Sequence, residues 1–264
     1  MHVGLSSLRT RWQGLGAATL AALLCLPMLP ALAGSLQVTP ISLEFAPEEQ
    51  AQGLWLSNSG TQPIRAQVRV QQWTQADGTE ALAATDALVA SPPILEIAAG
   101  QRQLVRIVRR EISPMAQEVS YRLLVDELPV EEAPDAPGLQ FLLRYSVPVF
   151  ALPTGATPTL AQTGTRPPTD LSALSGSWQA QGESAQLTLR NAGRQRIRIS
   201  QLTHVAPDGQ RTPVVPGLLG YVLAGQQMQW TVSLPVPART GGTFQAKFND
   251  DQEERPLPLP GTGR

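Results

Sequence analysis

Hydrophobic and polar residues alternate with a period of two along much of the chain. In residues 64–70 the apolar positions are Ile64, Ala66, Val68 and Val70, and the positions between them are arginine or glutamine. Successive side chains of a strand point to opposite faces, so this run predicts a strand with one buried face. Similar runs predict further strands at residues 36–45, 53–56, 88–97, 103–108, 119–128 and 139–150.

The seven predicted strands are separated by turn-forming sequence such as Asn58-Ser59-Gly60, and no amphipathic helical stretch lies among them. That number of short strands in about 120 residues is typical of an immunoglobulin-like sandwich. The second half also alternates, notably at residues 228–234 and 243–248. The sequence therefore predicts an all-β protein.

Part of the first half recurs in the second half at a constant offset of 133 positions. The recurring residues are Leu54, Leu56, Asn58, Gly60, Gln62, Ile64 and Arg65, which return as Leu187, Leu189, Asn191, Gly193, Gln195, Ile197 and Arg198. Two immunoglobulin-like domains of one type would explain the repeat, although unrelated strand-turn-strand units can converge on the same pattern. Because residues 153–169 are rich in Pro, Thr, Gly and Ala, we expect domains at 34–152 and 153–264, joined by a short linker.

The first 33 residues have the composition of a secretory signal peptide. Arg9 and Arg11 precede an apolar run at residues 17–29, and Ala31-Leu32-Ala33 forms a small-x-small cleavage site. The alternative is an N-terminal membrane anchor, but the apolar run is short for a membrane span. Cleavage after Ala33 predicts an exported protein without stable membrane insertion and, because Cys25 is then removed, without disulfides.

The composition offers little material for catalysis. Lys plus Arg number 20 against 21 Asp plus Glu, so no basic excess points to a nucleic-acid partner. His204 is the single histidine after the predicted signal peptide, and it lies in an ordinary strand-like run. A hydrolytic triad, a zinc or copper site and a phosphate-binding loop all lack their required residues. We therefore expect a protein that is not an enzyme and uses no cofactor or metal.

The predicted strand at 139–150 has an unusually apolar surface. Leu139, Phe141, Leu143 and Tyr145 share one face, and further apolar residues interrupt the polar alternation on the other. A central strand of the sandwich would account for this pattern. At a sheet edge, however, such a strand would need a partner, and pairing with a strand of another protein would then be a function.

Several motifs occur in an order that resembles the periplasmic pilus-assembly chaperones of the chaperone/usher pathway. They are Ala90-Ser91-Pro92-Pro93, Val105-Arg106-Ile107, Glu118, the run Tyr121-Arg122-Leu123-Leu124-Val125-Asp126-Glu127-Leu128-Pro129, and Arg144-Tyr145-Ser146-Val147-Pro148-Val149-Phe150. The last of these is most similar to the spore-coat-U-type, or archaic, branch of the family. The resemblance spans most of the chain after the signal peptide and is most specific in the first domain.

The resemblance implies two immunoglobulin-like domains in an L-shaped or boomerang arrangement, working in the periplasm. It also implies that the protein binds pilin subunits one to one and delivers them to an outer-membrane usher. The subunit lacks its last strand, and the chaperone donates Leu139, Phe141, Leu143 and Tyr145 to fill the open groove. The alternative is a secreted immunoglobulin-like adhesin or structural surface module that shares the strand sequence.

The same resemblance assigns charged residues between the domains. Arg106, Glu118 and Asp250 match the family's interdomain salt bridge. Ser42 and Pro148 occupy the two positions where better-known members carry the cations that bind the pilin's terminal carboxylate. The expected replacement is Arg122, which shares a strand face with Glu118, or otherwise Arg144.

Overall fold

The computed structural model describes residues 36–129, 142–159, 168–233 and 241–259, and its regular secondary structure in these segments is seventeen β-strands. No helix in the described segments is long and apolar enough to cross a membrane. The first ten strands are β1 (Leu36–Thr39), β2 (Leu43–Phe45), β3 (Ala51–Asn58), β4 (Ile64–Ala76), β5 (Thr79–Ala84), β6 (Leu88–Ser91), β7 (Ile94–Ile97), β8 (Arg102–Arg109), β9 (Val119–Leu128) and β10 (Arg144–Ala151). The other seven are β11 (Leu174–Gln181), β12 (Ser184–Asn191), β13 (Ile197–Val205), β14 (Arg211–Val222), β15 (Gln227–Ser233), β16 (Thr243–Phe248) and β17 (Arg255–Pro256).

The first ten strands form one β-sandwich. Sheet 1 has the order β1-β3-β8-β6, and sheet 2 has the order β2-β10-β9-β4-β5, with β7 also paired to β4. The inward-facing residues of both sheets build a single apolar core, in which Phe45, Leu54, Ile107 and Leu123 have no exposed surface. This is the two-layer arrangement of an immunoglobulin-like domain.

The remaining strands form a second sandwich of the same type. Sheet 3 has the order β11-β12-β15, and sheet 4 has the order β14-β13-β16-β17. Its separate core includes Leu189, Ile199, Ala246 and Phe248, all without exposed surface. His204 lies in a strand, β13, as the sequence predicts. It is buried, and its Nε2 lies 2.9 Å from the carbonyl oxygen of Gly241.

The repeat at an offset of 133 is confirmed in atomic detail. The Asn58 amide donates to the carbonyl of Gln62 at 2.7 Å, and its Oδ1 accepts from the amide of Gly60 at 2.9 Å. Asn191 makes the equivalent bonds to Gln195 and Gly193, both at 2.8 Å. Each asparagine thus satisfies the backbone of its own turn, and the predicted all-β fold with two immunoglobulin-like domains is confirmed.

A third apolar cluster joins the two sandwiches. Trp73, Phe150 and Leu152 of the first pack against Leu223 of the second, and all four are buried. Tyr221 lies edge-on to Trp73 with ring centres 5.5 Å apart. An edge-to-face contact between aromatic rings has a preferred geometry, so it fixes the orientation of the rings as well as burying apolar area.

Gln75 adds a polar connection beside this cluster. Its side-chain amide donates to the carbonyl of Tyr221 at 2.7 Å and accepts from the amide of Leu223 at 2.9 Å. Its own backbone amide donates to the side chain of Gln226. Gln75 is buried, so these bonds satisfy polar groups that would otherwise be costly to place there.

Candidate functional site

The first part of β10 has an open edge. All eight residues of β10 pair antiparallel with β9, but only Val149, Phe150 and Ala151 pair with β2 on the other side. The cause is a bend at residues 40–42 between β1 and β2, which places β1 in sheet 1 and the short β2 in sheet 2. Among the described strands, none covers the outer edge of residues 144–148.

The side chains of this strand become less buried towards its open end. Val147 and Val149 are buried in the first core, whereas Leu143 and Tyr145 are half-buried at its margin. The Tyr145 hydroxyl donates to the carbonyl of Leu36 at 2.5 Å. Of the four predicted donor residues, Leu143 and Tyr145 therefore lie on one strand face beside the open edge, and Leu139 and Phe141 lie outside the described residues.

A cleft of about 1220 Å³ lies between the two sandwiches. Ser42, Glu44 and Phe150 line it from the first domain, and Arg196 and Arg198 line it from the second. The cleft therefore contains the Ser42 position at which the family resemblance led us to look for a cation.

One ion-pair network connects the domains across this cleft. Arg196 donates from Nη1 to Glu118 Oε2 at 2.7 Å and from Nη2 to Glu44, and its guanidinium lies 3.5 Å from the ring centre of Phe150. The backbone amide of Glu118 also donates to the carbonyl of Arg194 at 2.9 Å. Burial raises the pKa of Glu118, while the charge and hydrogen bonds of Arg196 act in the opposite direction.

This network corrects the predicted Arg106–Glu118–Asp250 bridge. Arg106 lies between the inward residues Val105 and Ile107 of β8, so strand alternation places it on the exposed face of sheet 1. Asp250 pairs with Arg198 at 2.8 Å instead. Asp250 lines the same cleft, but the ion pair that connects the two domains joins Glu118 to Arg196.

Arg196 could not have been found by local pattern. It is separated from Glu118 by 78 positions and from Glu44 by 152, and the sequence around it resembles an ordinary turn with exposed arginines. At the offset of 133, the first domain has Pro63 at the corresponding position. The repeat therefore carried no signal for a charge there.

Arg122 lies directly opposite Pro148 in the β9–β10 ladder. Its guanidinium stacks 3.6 Å from the ring centre of Trp73 and lies 3.8 Å from the Glu80 carboxylate, and 15% of its side chain is exposed. Burial lowers the pKa of Arg122, but an arginine remains charged under all ordinary conditions. The structure thus places one predicted anchor opposite Pro148, a position at which the resemblance leads us to expect a cation.

Arg144, the other predicted anchor, lies at the opposite end of β10. Its Nε donates to Asp126 Oδ1, and Arg69 donates to Asp126 Oδ2 at 2.7 Å. Burial opposes ionisation of Asp126, but the hydrogen bonds and charges of the two arginines outweigh it, so its pKa lies below the ordinary value. Two guanidinium groups share one carboxylate here.

Comparison with known proteins finds a family match for the first domain. Residues 35–157 match the family described as "Pili and flagellar-assembly chaperone, PapD N-terminal domain". Residues 35–157 are therefore similar to the first domain of the pilus-assembly chaperones, and the predicted resemblance is confirmed. This family consists of chaperones that are not enzymes. No curated protein matches the chain.

Solved structures show the same fold. A chain of the CsuC-CsuE chaperone-tip adhesion subunit pre-assembly complex from archaic Csu pili of Acinetobacter baumannii is 23% identical, with a TM-score of 0.61 over 86% of this chain and 98% of that chain. A chain of the Salmonella enterica SafA pilin–SafB chaperone complex is 18% identical, with a TM-score of 0.56 over 86% and 96%. The E. coli chaperone DraB is 19% identical, with a TM-score of 0.53 over 85% and 99%.

Proposed function

We propose that this protein is a periplasmic chaperone that captures pilin subunits by donating β10 and the residues before it. Residues 1–33 direct export and are then removed. The protein binds its subunit one to one and delivers this complex to an outer-membrane usher. The family match of residues 35–157 supports the chaperone role, and two similar structures are complexes of a chaperone with a pilin or a tip subunit. The likeness to the Csu complex also favours the archaic branch.

The observation that carries this proposal is the open edge of β10 beside an apolar strand face. An edge strand offers backbone N–H and C=O groups to an incoming strand, and alternate side chains supply specificity. Leu143 is half-buried at this edge. Complete burial of one such side chain in a subunit groove contributes about 1.5–3 kcal/mol before ordering costs.

Arg122 is the proposed binding group for the subunit's terminal carboxylate. The proposal is supported by its cross-strand position opposite Pro148 and by the stacking on Trp73, which holds the guanidinium in place. A planar guanidinium can bind a carboxylate through two parallel hydrogen bonds, which a lysine cannot reproduce. On binding, the incoming carboxylate would replace Glu80 as the partner of Arg122, whose present ion pair with Glu80 measures 3.8 Å.

Exchange of Leu143 for glutamate tests strand donation. We expect Leu143→Glu to abolish recovery of the subunit complex, because a charge in an apolar groove costs several kcal/mol. Leu142→Glu is the matched control, since the Leu142 side chain neighbours Leu143 but is 46% exposed on the opposite face. The measurement is the amount of subunit that co-purifies from periplasm with each variant. Circular dichroism confirms that each variant is folded.

Normal capture by Leu143→Glu would contradict the proposal. Recovery of the wild-type protein at the cell surface without a subunit would instead favour the adhesin or structural surface module.

A further inference from the structure

The group of Arg69, Asp126 and Arg144 lies across three neighbouring strands of sheet 2, next to the open edge. Asp126 faces Arg144 directly in the β9–β10 ladder, and Arg69 reaches the same carboxylate from β4. The Asp126 side chain is only 12% exposed, whereas those of Arg69 and Arg144 are 42% and 66% exposed. The group therefore presents one uncompensated positive charge to solvent.

The hydrogen bonding leaves part of Arg144 available. Asp126 engages the Nε–H of Arg144, and within the described residues its two terminal NH2 groups have no hydrogen-bond partner. The neighbouring Glu127 does not compensate, because strand alternation places it on the opposite face, where its carboxylate accepts the backbone amide of Leu143 at 3.3 Å. An arginine fixed at Nε with an unused NH2 pair is suited to a second carboxylate.

The position of Arg144 determines where that carboxylate must come from. Arg144 belongs to the strand whose outer edge is open, and its side chain points away from the face that carries Leu143 and Tyr145. A strand added at this edge places one residue directly opposite, with Cβ atoms about 4.5–5.5 Å away on the same face. That residue stays outside the subunit's groove and is free to be charged.

We propose that Arg144, held by Asp126, selects subunits whose added strand carries an aspartate or glutamate opposite it on this outer face. This inference rests on the proposed function, because it requires a subunit strand paired with β10. It differs from the Arg122 assignment, since the carboxylate is that of a side chain and not the subunit's C-terminus. Arg144 is thus a residue that determines which subunits are accepted.

The test uses the subunit that co-purifies with the wild-type protein, identified by mass spectrometry. Disulfide cross-linking from Ser146→Cys, two residues from Arg144 on the same strand face, locates the subunit residue opposite Arg144. The chain's one cysteine, Cys25, lies in the predicted signal peptide and does not compete in this cross-linking. That subunit residue is then made Glu, Gln or Lys. Each form is captured by wild type, by Arg144→Gln, by Arg144→Glu and by Arg65→Gln, a control for an exposed arginine on β4 that is away from the edge.

For the Glu subunit, we expect Arg144→Gln to reduce capture about three- to five-fold and Arg65→Gln to have less than about a two-fold effect. The Gln subunit should be insensitive to Arg144→Gln, and Arg144→Glu should prefer the Lys subunit. Equal losses for the Glu and Gln subunits would overturn the inference. The inference would also be overturned if Arg144→Gln no longer reduced capture after deletion of the subunit's last residue, because Arg144 would then bind the subunit's C-terminus.

The two proposals can fail separately. If Leu143→Glu abolishes capture while Arg144→Gln shows no dependence on subunit charge, only the selection by Arg144 is wrong. If Leu143→Glu captures normally, strand donation is wrong and the inference falls with it.

Discussion

At the scale of single residues, Asp126 shows how a local charge arrangement becomes a dependence of stability on pH. Its carboxylate is mostly buried, yet Arg69 and Arg144 hold its pKa below the ordinary value of 3.8. A carboxyl whose pKa is lowered in the fold stabilises the protein above its ordinary pKa. This contribution is lost as the pH falls through the lower value.

We therefore expect the free energy of unfolding to decrease below about pH 4 in part through Asp126. Asp126→Asn should be less stable than wild type at neutral pH, with the difference shrinking as the pH falls below 3.8. Urea unfolding between neutral pH and pH 3 measures both effects. A difference between variant and wild type that is constant over this range would contradict the assignment.

At the scale of elements, the pattern of alternation predicted most strands but not how they are divided between sheets. The strand at 119–128 and the one at 243–248 have the predicted bounds. The predicted strand at 36–45 is two strands in different sheets, because alternation reports one buried face and not which sheet supplies it. β5 was missed, since all six of its residues are exposed and no apolar period marks it.

The same limit applies to β10 and its partner. Alternation identified Leu143 and Tyr145 as one face, but the hydrogen bond from Tyr145 to β1 arises from residues 109 positions apart. This bond fastens the open half of β10 to sheet 1. Tyr145 therefore has a role in the free protein, which bears on its predicted use as a donated side chain.

We expect Tyr145→Phe to lower the free energy of unfolding by about 1 kcal/mol, the usual value for one hydrogen bond. Amide hydrogen exchange should accelerate in residues 143–147, with little change in the second domain. Tyr145→Ala, which also removes packing against the core, should cost more. Unchanged exchange in Tyr145→Phe would show that the hydroxyl does not hold the strand.

At the scale of the whole molecule, the relation between the domains depends on contacts that the sequence motifs did not identify. Three kinds of contact meet there: the aromatic cluster around Trp73, the amide bonds of Gln75, and the ion pairs of Arg196. The resemblance singled out Glu118 because its position in the first domain follows a recognisable motif, and Glu118 pairs with Arg196 of the second domain. Its partner belongs to the other domain, and only the folded arrangement of the domains reveals it.

The last prediction concerns Arg196→Ala, which leaves Glu118 and Glu44 facing each other without a cation. The Glu118 side chain has no exposed surface, and removing one partner of a buried pair typically costs about 3–5 kcal/mol. Burial already raises the pKa of Glu118, so loss of Arg196 should raise it further. A carboxyl with a raised pKa stabilises the fold below its ordinary value of 4.5 and loses this effect as the pH rises through the folded value. The defect in Arg196→Ala should therefore be greater at neutral pH than at pH 4.5, and adding Glu118→Gln should partly relieve it.

Small-angle scattering should show a broader distribution of interdomain distances for Arg196→Ala, while the exposed Arg106→Ala control should match wild type. A scattering profile of Arg196→Ala identical to wild type at neutral pH would mean that the aromatic cluster and Gln75 hold the domains without the charges.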